Sequence, residues 1–415
     1  MAKRRAPGEG TIFQRTSDGL WIGAIDIPTF DGRRKQKRVS GKSYRDVVEK
    51  LRKLRREVED GSVGTRMKLR DWLTKWITEI HRDELRPKTR ADYARVCAQI
   101  SESIGDRRLE ALTPDDVRGM IEHLGKGRRR TQKAHAVLQA ALRDAESDGL
   151  VKRNVAAVVR KPKVDTQKRD PFTAETTRAL LDHAHHTLDP MAYARWAAAF
   201  LTGLRQGEVL GLEWDRVDLD GAVVDVSWQL QSLQKDHGCG RKKTPDGKFP
   251  CGKVKAAYCP DAALEVPPDY AVRPLYRSLV LTRPKTQAGQ RYVPLIPAMV
   301  DALRGAMAAP GFNPHGLVFH HADGRPWSPR DDYNNWQALL IDAGITEPGK
   351  PIPLHSARHT TATVMRSGGA DEQTRQEILG HSSADAQRVY AHADMRRQRA
   401  AMEALKDLAP PSDGV

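Results

Sequence analysis

Cysteine is scarce in this chain: four in 415 residues do not make a disulfide framework. Long apolar runs are missing too, and no stretch approaches the roughly 18–20 apolar residues that span a bilayer. Nothing hydrophobic follows the basic start Lys3-Arg4-Arg5, so no secretory signal is expected and the chain is expected to work in the cytoplasm. Carboxylates in the clustered order that metal-dependent phosphodiester chemistry uses are also lacking. One part of the chain lacks net charge, since residues 171–415 carry 28 Lys and Arg against 28 Asp and Glu. Residues 1–170 carry 41 against 25, so the whole excess of +16 sits in the front. A basic front joined to a neutral back suggests polyanion-gripping modules that feed a different kind of unit.

What is present fits a folded chain of two to four domains, with 39% hydrophobic and 29% charged residues. Residues 1–62 contain three short predicted strands, at Thr11–Phe13, Trp21–Ile27 and Lys35–Ser40. Ser17-Asp18-Gly19 and Asp31-Gly32 supply the turns between them. A helix follows from Ser43 to about Glu59, with Val47, Val48, Leu51, Leu54 and Val58 on one face. Arg33, Arg34, Lys35, Lys37 and Arg38 crowd the third strand and the turn before it, and such a sheet can lie in a DNA groove.

Residues 66–163 read as all-helical. Leu69, Trp72, Leu73, Trp76, Ile77 and Ile80 mark one buried face, and Cys97 falls on the apolar side of the next helix. That second helix runs from Pro87 to about Ile104, with Gly105 placed for a left-handed cap. Thr113-Pro114-Asp115-Asp116 is a capped helix start, and a fourth helix spans roughly Thr131 to Asp148. Arg128, Arg129, Arg130 and Lys133 are candidates for phosphate contacts. Residues 164–171 are linker-like and basic, residues 172–408 form the last module, and 409–415 are a tail.

Four motifs lie in that last module. The first is Thr202-Gly-Leu-Arg205-Gln-Gly-Glu208-Val-Leu-Gly-Leu-Glu-Trp214. The second is Arg283-Pro-Lys285-Thr286 followed by Gly289 and Arg291-Tyr-Val-Pro294, which reads as a hairpin with Lys285 near its tip. The third is His355-Ser-Ala-Arg358, whose spacing puts His355 and Arg358 on one helical face. The fourth is Leu379-Gly-His381-Ser-Ser383, with Tyr390 nine residues after His381.

Arginine, lysine, His-x-x-Arg, histidine and tyrosine in this order resemble the tyrosine recombinases, the family of phage integrases. The likeness is strong in the back half and looser in front. It implies a small α+β N-terminal domain (three-stranded sheet plus helix) that binds arm-type DNA sites, and an all-α, SAM-like core-binding domain. It also implies a mixed, mainly-α catalytic domain with a small antiparallel sheet. The implied reaction cuts and rejoins DNA through a 3′-phosphotyrosyl link, with no metal or ATP. Tyr390 would be the nucleophile, and Arg205 and Arg358 would clamp the phosphate, Glu208 orienting Arg205. Lys285 would protonate the leaving 5′-oxygen, His355 would handle protons, and His381 would bond a phosphate oxygen. Many family members have Asp-Leu where this chain has Ser356-Ala357, positions without a catalytic role.

The implied partners are double-stranded DNA at core and arm sites and three further copies of the chain in a homotetramer on synapsed DNA. An excision factor and a DNA-bending host protein are further possibilities, and no membrane is involved. A regulator on the same fold that has lost catalysis is the main rival, and the filled catalytic positions count against it. The helix at 394–408, with Met395, Met402, Leu405 and Leu408 near one face, suits either a neighbouring protomer or its own domain.

About 40 residues, 235–277, interrupt the family's plain pattern between a strand at 223–228 and Lys285. They hold His237, Cys239, Cys251 and Cys259, spaced by one, eleven and seven residues. So polar an insert builds little core, and these are the ligand types of a structural zinc. Free thiols in a loop are the alternative.

Overall fold

The structure, a computed structural model, describes residues 11–28, 34–59, 67–125, 127–164, 171–240, 244–284, 289–309, 311–380 and 391–410, without the side chains at 27–28, 34–35, 57–59 and 391–394. The chain divides into two compact units, Met1–Thr166 and Gln167–Val415.

The first unit opens with strands β1 (Thr11–Gln14), β2 (Trp21–Pro28) and β3 (Arg34–Gly41), an antiparallel sheet in the order β1-β2-β3. Gly19 takes φ +69 in the first turn, where the Arg15 amide donates to the Leu20 carbonyl at 2.8 Å. The second turn, Asp31-Gly32, lies outside the described residues. Helix α1 (Tyr44–Glu59) packs Val47, Leu51 and Leu54 against Ile25, with Trp21 and Val39 beside them. These residues share one face of the sheet, so their cross-strand neighbours decide which cations lie on which side. Arg38 pairs with Ala24 and lies on the opposite face, whereas Lys37 pairs with Ile25 and lies on the α1 side. The basic strand is therefore split between two faces.

The same unit holds α2 (Leu69–Lys75), α3 (Pro87–Ile104), α4 (Pro114–Leu124) and α5 (Arg129–Ser147). α2 continues through a π-type turn at Trp76–Ile80, and its two tryptophans anchor it to α5. Trp72 Nε1 donates to the Ala141 carbonyl at 2.9 Å, and Trp76 Nε1 to Asp144 Oδ2 at 2.7 Å. Cys97 is buried in this core, as its periodic position implied. Thr113 and Asp116 cap each other's backbone amides at the start of α4. Two boundaries differ from expectation. Gly105 takes φ −62 and ψ −24, a right-handed end to α3 that any residue adopts, so no left-handed cap forms. α5 starts at Arg129 rather than Thr131, which places Arg129 and Arg130 in its first turn.

The second unit begins with α6 (Ala174–Thr187), α7 (Pro190–Leu201) and α8 (Gln206–Leu210). The strands follow: β4 (Val217–Asp218), β5 (Val223–Val226), β6 (Gln229–Ser232), β7 (Lys235–Asp236), β8 (Ala263–Leu264), β9 (Val272–Tyr276), β10 (Leu279–Thr282) and β11 (Arg291–Pro294). Helices α9 (Pro297–Ala308), α10 (Pro329–Asp342), α11 (His355–Ser367), α12 (Glu372–Leu379) and α13 (Ala391–Glu403) complete it. The expected small antiparallel sheet appears as three: β6-β10-β9, β11-β5-β4 and β7-β8. Phe200, Phe319, Trp336 and Val293 lie at the centre of the main core. Met402, Leu405 and Leu408 join it, so this stretch packs on its own domain.

Two expectations are corrected here. The sequence predicts a hairpin around Lys285, and among the described residues the flanking strands β10 and β11 do not pair with each other. β10 ends with Thr282 opposite Gln229, and β11 begins with Arg291 opposite Val226, so both run along the one stretch β5–β6. Residues 285–288, Lys285 among them, lie outside the described residues. The insert is also shorter than 235–277. β9 is a strand of the main sheet, and Arg273 within it bonds Glu213 Oε1 at 2.5 Å and Oε2 at 3.0 Å. The β7–β8 ladder, Lys235 opposite Leu264, closes the neck of what remains.

Candidate active site

The first motif folds around a reversal of the chain. Gly203 ends α7 at φ +65, and a Cβ there would lie 2.6 Å from Leu379 Cδ2 and 3.0 Å from Thr361 Cγ2. Only glycine meets both demands. Arg205 then stands extended before α8, and Glu208, three residues on, folds back over it. Glu208 Oε2 accepts from the Arg205 amide at 2.9 Å and Oε1 from Arg205 Nη1 at 2.7 Å. The Arg-x-x-Glu spacing thus serves as a helix cap and a guanidinium clasp at once.

Glu208 is only 2% exposed, and a second arginine reaches it from β11: Arg291 Nη2 donates to Oε2 at 3.0 Å. Burial alone would raise the Glu208 carboxyl, but Arg291 and Arg205 hold it below the ordinary carboxylate value. Arg291 is the residue that sequence reasoning passed over. Its one local signal is a cation opening a strand whose next core position, Val293, is wholly buried.

Three arginines converge on the end of α12. Arg291 Nε donates to the Ile378 carbonyl at 2.6 Å, Arg358 Nη2 to the Leu379 carbonyl, and Arg205 Nη2 to the Gly380 carbonyl at 2.7 Å. A helix leaves its last carbonyls without partners and carries partial negative charge there, so three guanidiniums are apt caps. Gly380 turns left-handed at φ 64, and the chain departs from this fixed point. The next residue is His381. His381, Tyr390 and Lys285 all lie outside the described residues, so their positions carry no part of this geometry.

Arg205, His355 and Arg358 line one cavity of about 350 Å³, with Arg195, Leu204 and Tyr333. His355, the exposed first residue of α11, sets its ring 4.6 Å from that of His359. Arg358 is 3% exposed, and its Nη1 also donates to the Gly203 carbonyl at 2.6 Å. Burial, then Arg205, pushes its guanidinium down to about 9, which leaves it charged at neutral pH. Behind them Arg195 and Asp332 form a fully buried bidentate pair, with both bonds at 2.7 Å. Gln206 Nε2 donates to the same Asp332 at 2.8 Å, tying the residue after Arg205 to this pair. The pocket is therefore cationic, rigid at its back and open at His355.

The front-half candidates are placed very differently. Lys37 and Arg38 are exposed, while Arg33 and the side chains of Arg34 and Lys35 lie outside the described residues. Arg128 and Arg129 are exposed on the start of α5. Arg130 Nε donates to the Leu124 carbonyl at 3.0 Å, and Lys133 pairs closely with Asp92. Two of these four cations thus already have work within the fold.

In the insert, His237, Cys239, Cys251 and Cys259 converge, their ligand atoms all within 4.8 Å of one another.

Residues 275–397 match the phage integrase family. The chain is 28% identical to an integrase of Saccharopolyspora erythraea over 94% of each chain. It is 26% identical to the tyrosine recombinase XerD of Bifidobacterium longum over 70% of this chain and 81% of that one. Of solved structures, the Tn1549 transposon integrase with circular intermediate DNA superposes with a TM-score of 0.58 at 19% identity, over 80% of this chain and 99% of that one. A lambda integrase tetramer bound to a Holliday junction gives 0.52 at 16% identity, over 94% and 100%. At these identities the structural likeness is one of fold.

Proposed function

We propose that the chain is a tyrosine recombinase of the phage-integrase kind, which integrates and excises a phage or mobile element by cutting DNA through a 3′-phosphotyrosyl link to Tyr390. The observation that carries this reading is the meeting of Arg205 and Arg358, far apart in the chain, in one cavity and on adjacent carbonyls, Gly380 and Leu379. That is where the segment with His381 and Tyr390 sets out.

In this reading a DNA phosphate enters beside Arg205 and Arg358, whose fixed charges meet the negative charge that grows on its non-bridging oxygens. The Tyr390 oxygen bonds to phosphorus as the bond to the 5′-oxygen breaks. The phenolic proton leaves to a base, with His355 as the proton-handling group at the cavity mouth, and Lys285 protonates the departing oxygen. His381 steadies a phosphate oxygen. Because the new ester keeps the bond energy, a second strand's 5′-hydroxyl can reverse the step without ATP. Glu208 and Arg291 act through Arg205 by holding it in place. The strand transfer draws on no cofactor.

The remaining parts of the reading follow the basic front half. Residues 1–62 grip arm sites, 66–163 clamp core DNA through Arg128 and Arg129, and 172–408 perform catalysis. Four copies act together on synapsed double-stranded DNA in the cytoplasm, with an excision factor and a DNA-bending host protein as accessory partners.

A nicked suicide substrate tests the chemistry. Wild-type protein should accumulate a covalent protein–DNA adduct, and Tyr390→Phe should bind the same DNA yet form none. An adduct at wild-type level in Tyr390→Phe would sink the assignment.

A further inference from the structure

The insert between β7 and β8 has no apolar reason to be ordered. Among the described residues of 237–262 the hydrophobic side chains are at most half-buried, with one exception, and Val254 is 60% and Tyr258 49% exposed. The buried exception is Cys259. A polar loop this small holds one conformation only if something other than a hydrophobic core staples it.

Its polar groups supply such a staple. His237 stacks flat on Phe249, with ring centroids 3.6 Å apart, which fixes the imidazole plane. Its Nε2 is buried without a protein partner, and Nδ1 is the nitrogen that lies against the thiols. Nδ1 lies 3.8 Å from Cys239 Sγ and 3.5 Å from Cys251 Sγ. Tetrahedral bonds of about 2.3 Å to sulfur and about 2.05 Å to nitrogen put such a pair roughly 3.6 Å apart. Gly238 makes the approach possible: a Cβ there would stand 1.9 Å from the Asp261 carbonyl, so only glycine lets 237–239 lie against 259–261.

We propose that His237, Cys239, Cys251 and Cys259 bind one structural zinc ion, through His237 Nδ1 and three thiolates. A disulfide fits less well, because it would use two of the three cysteines and leave the third, with His237, converging on nothing. Four protein ligands close the coordination shell, so the metal orders the insert and takes no part in phosphate chemistry. Binding displaces three thiol protons to solvent and changes no oxidation state. The site shares no residue with the arginine cavity, so each can fail without the other.

Metal analysis of the full-length protein, prepared without chelators and desalted after incubation with zinc, is the direct test. About one zinc per chain is expected, falling below roughly one-fifth in Cys251→Ser and in Cys259→Ser. Should those variants fold poorly, cobalt-loaded wild type serves instead, with tetrahedral ligand-field absorption and thiolate-to-cobalt charge transfer expected. A chelator should also raise the number of thiols that react quickly by three and open residues 237–262 to proteases. Zinc-free wild type, or a full equivalent retained by Cys251→Ser, overturns the proposal. So does thiol reactivity that the chelator does not change.

Discussion

Cations stand in two kinds of surroundings in this molecule, at the end of α12 and on the front sheet, and the contrast between them is instructive. Arg205, Arg291 and Arg358 are drawn from three segments and bonded to carbonyls and to one buried carboxylate. Lys37 and Arg38 stand exposed on adjacent positions of one strand. A buried guanidinium with fixed partners costs little to reorganise when charge develops beside it, which suits a transition state. An exposed one is screened and mobile, and acts by displacing counterions from a phosphate backbone.

The largest effects should come from breaking the first member of this comparison. Arg358→Ala or Arg205→Ala should cut the rate of suicide-substrate cleavage by about 10²–10³, with core-DNA binding within a few-fold. Arg358→Lys should recover little, because an ammonium cannot reproduce bonds to Gly203 and Leu379 together with a free edge for phosphate. A variant that cleaves within a few-fold of wild type would mean that its arginine is no clamp.

A smaller effect sharpens the comparison, since Glu208 is the carboxylate that holds Arg205 and Arg291. Glu208→Gln removes the charge that Arg291 and Arg205 share. It should cost toward the lower end of the roughly 3–5 kcal/mol for breaking a buried pair. The pH dependence follows from the sign of its shift. The folded carboxyl is held below its ordinary 4.5, so its contribution is complete above that pH and fades as pH falls through the lower folded value. The gap in Tm between wild type and Glu208→Gln should therefore be constant near neutrality and close in acid. A gap that persists undiminished at pH 3 would assign the loss to packing.

The smallest effects belong to the front. If the face opposite α1 lies on arm DNA, Arg38→Ala should reduce the slope of log affinity against log salt by about one, and Lys37→Ala by less. Phe13, 43% exposed and paired with Ile22 on the same face as Arg38, makes that face the better candidate. Removing residues 1–62 should leave core-site cleavage intact and abolish full integration, because the tethered second contact is lost. Equal slopes for the two point variants would mean that the sheet does not present this face.

Local patterns were legible in the sequence where the deciding interactions lie within a few residues. The Thr113–Asp116 capping box, the buried stripe of α2 and the helix start at Pro87 all formed as read. Gly105 was misread because a glycine after a helix permits a left-handed turn without requiring one. The pairing of β10 with β6 and of β11 with β5 was not legible, because turn residues announce a reversal but not which strands flank it. That depends on β5 and β6, more than fifty residues earlier.

The order of residue types by itself carried the resemblance to the tyrosine recombinases, because that order is read without knowing what folds against what. It also determined the ligand types in the insert. Tertiary structure alone decided that Arg291 joins Glu208, that three guanidiniums cap three successive carbonyls, and that His237, Cys239, Cys251 and Cys259 meet. Each of these joins groups brought together by folding, and bonds of that kind have no spacing rule to be read from the chain.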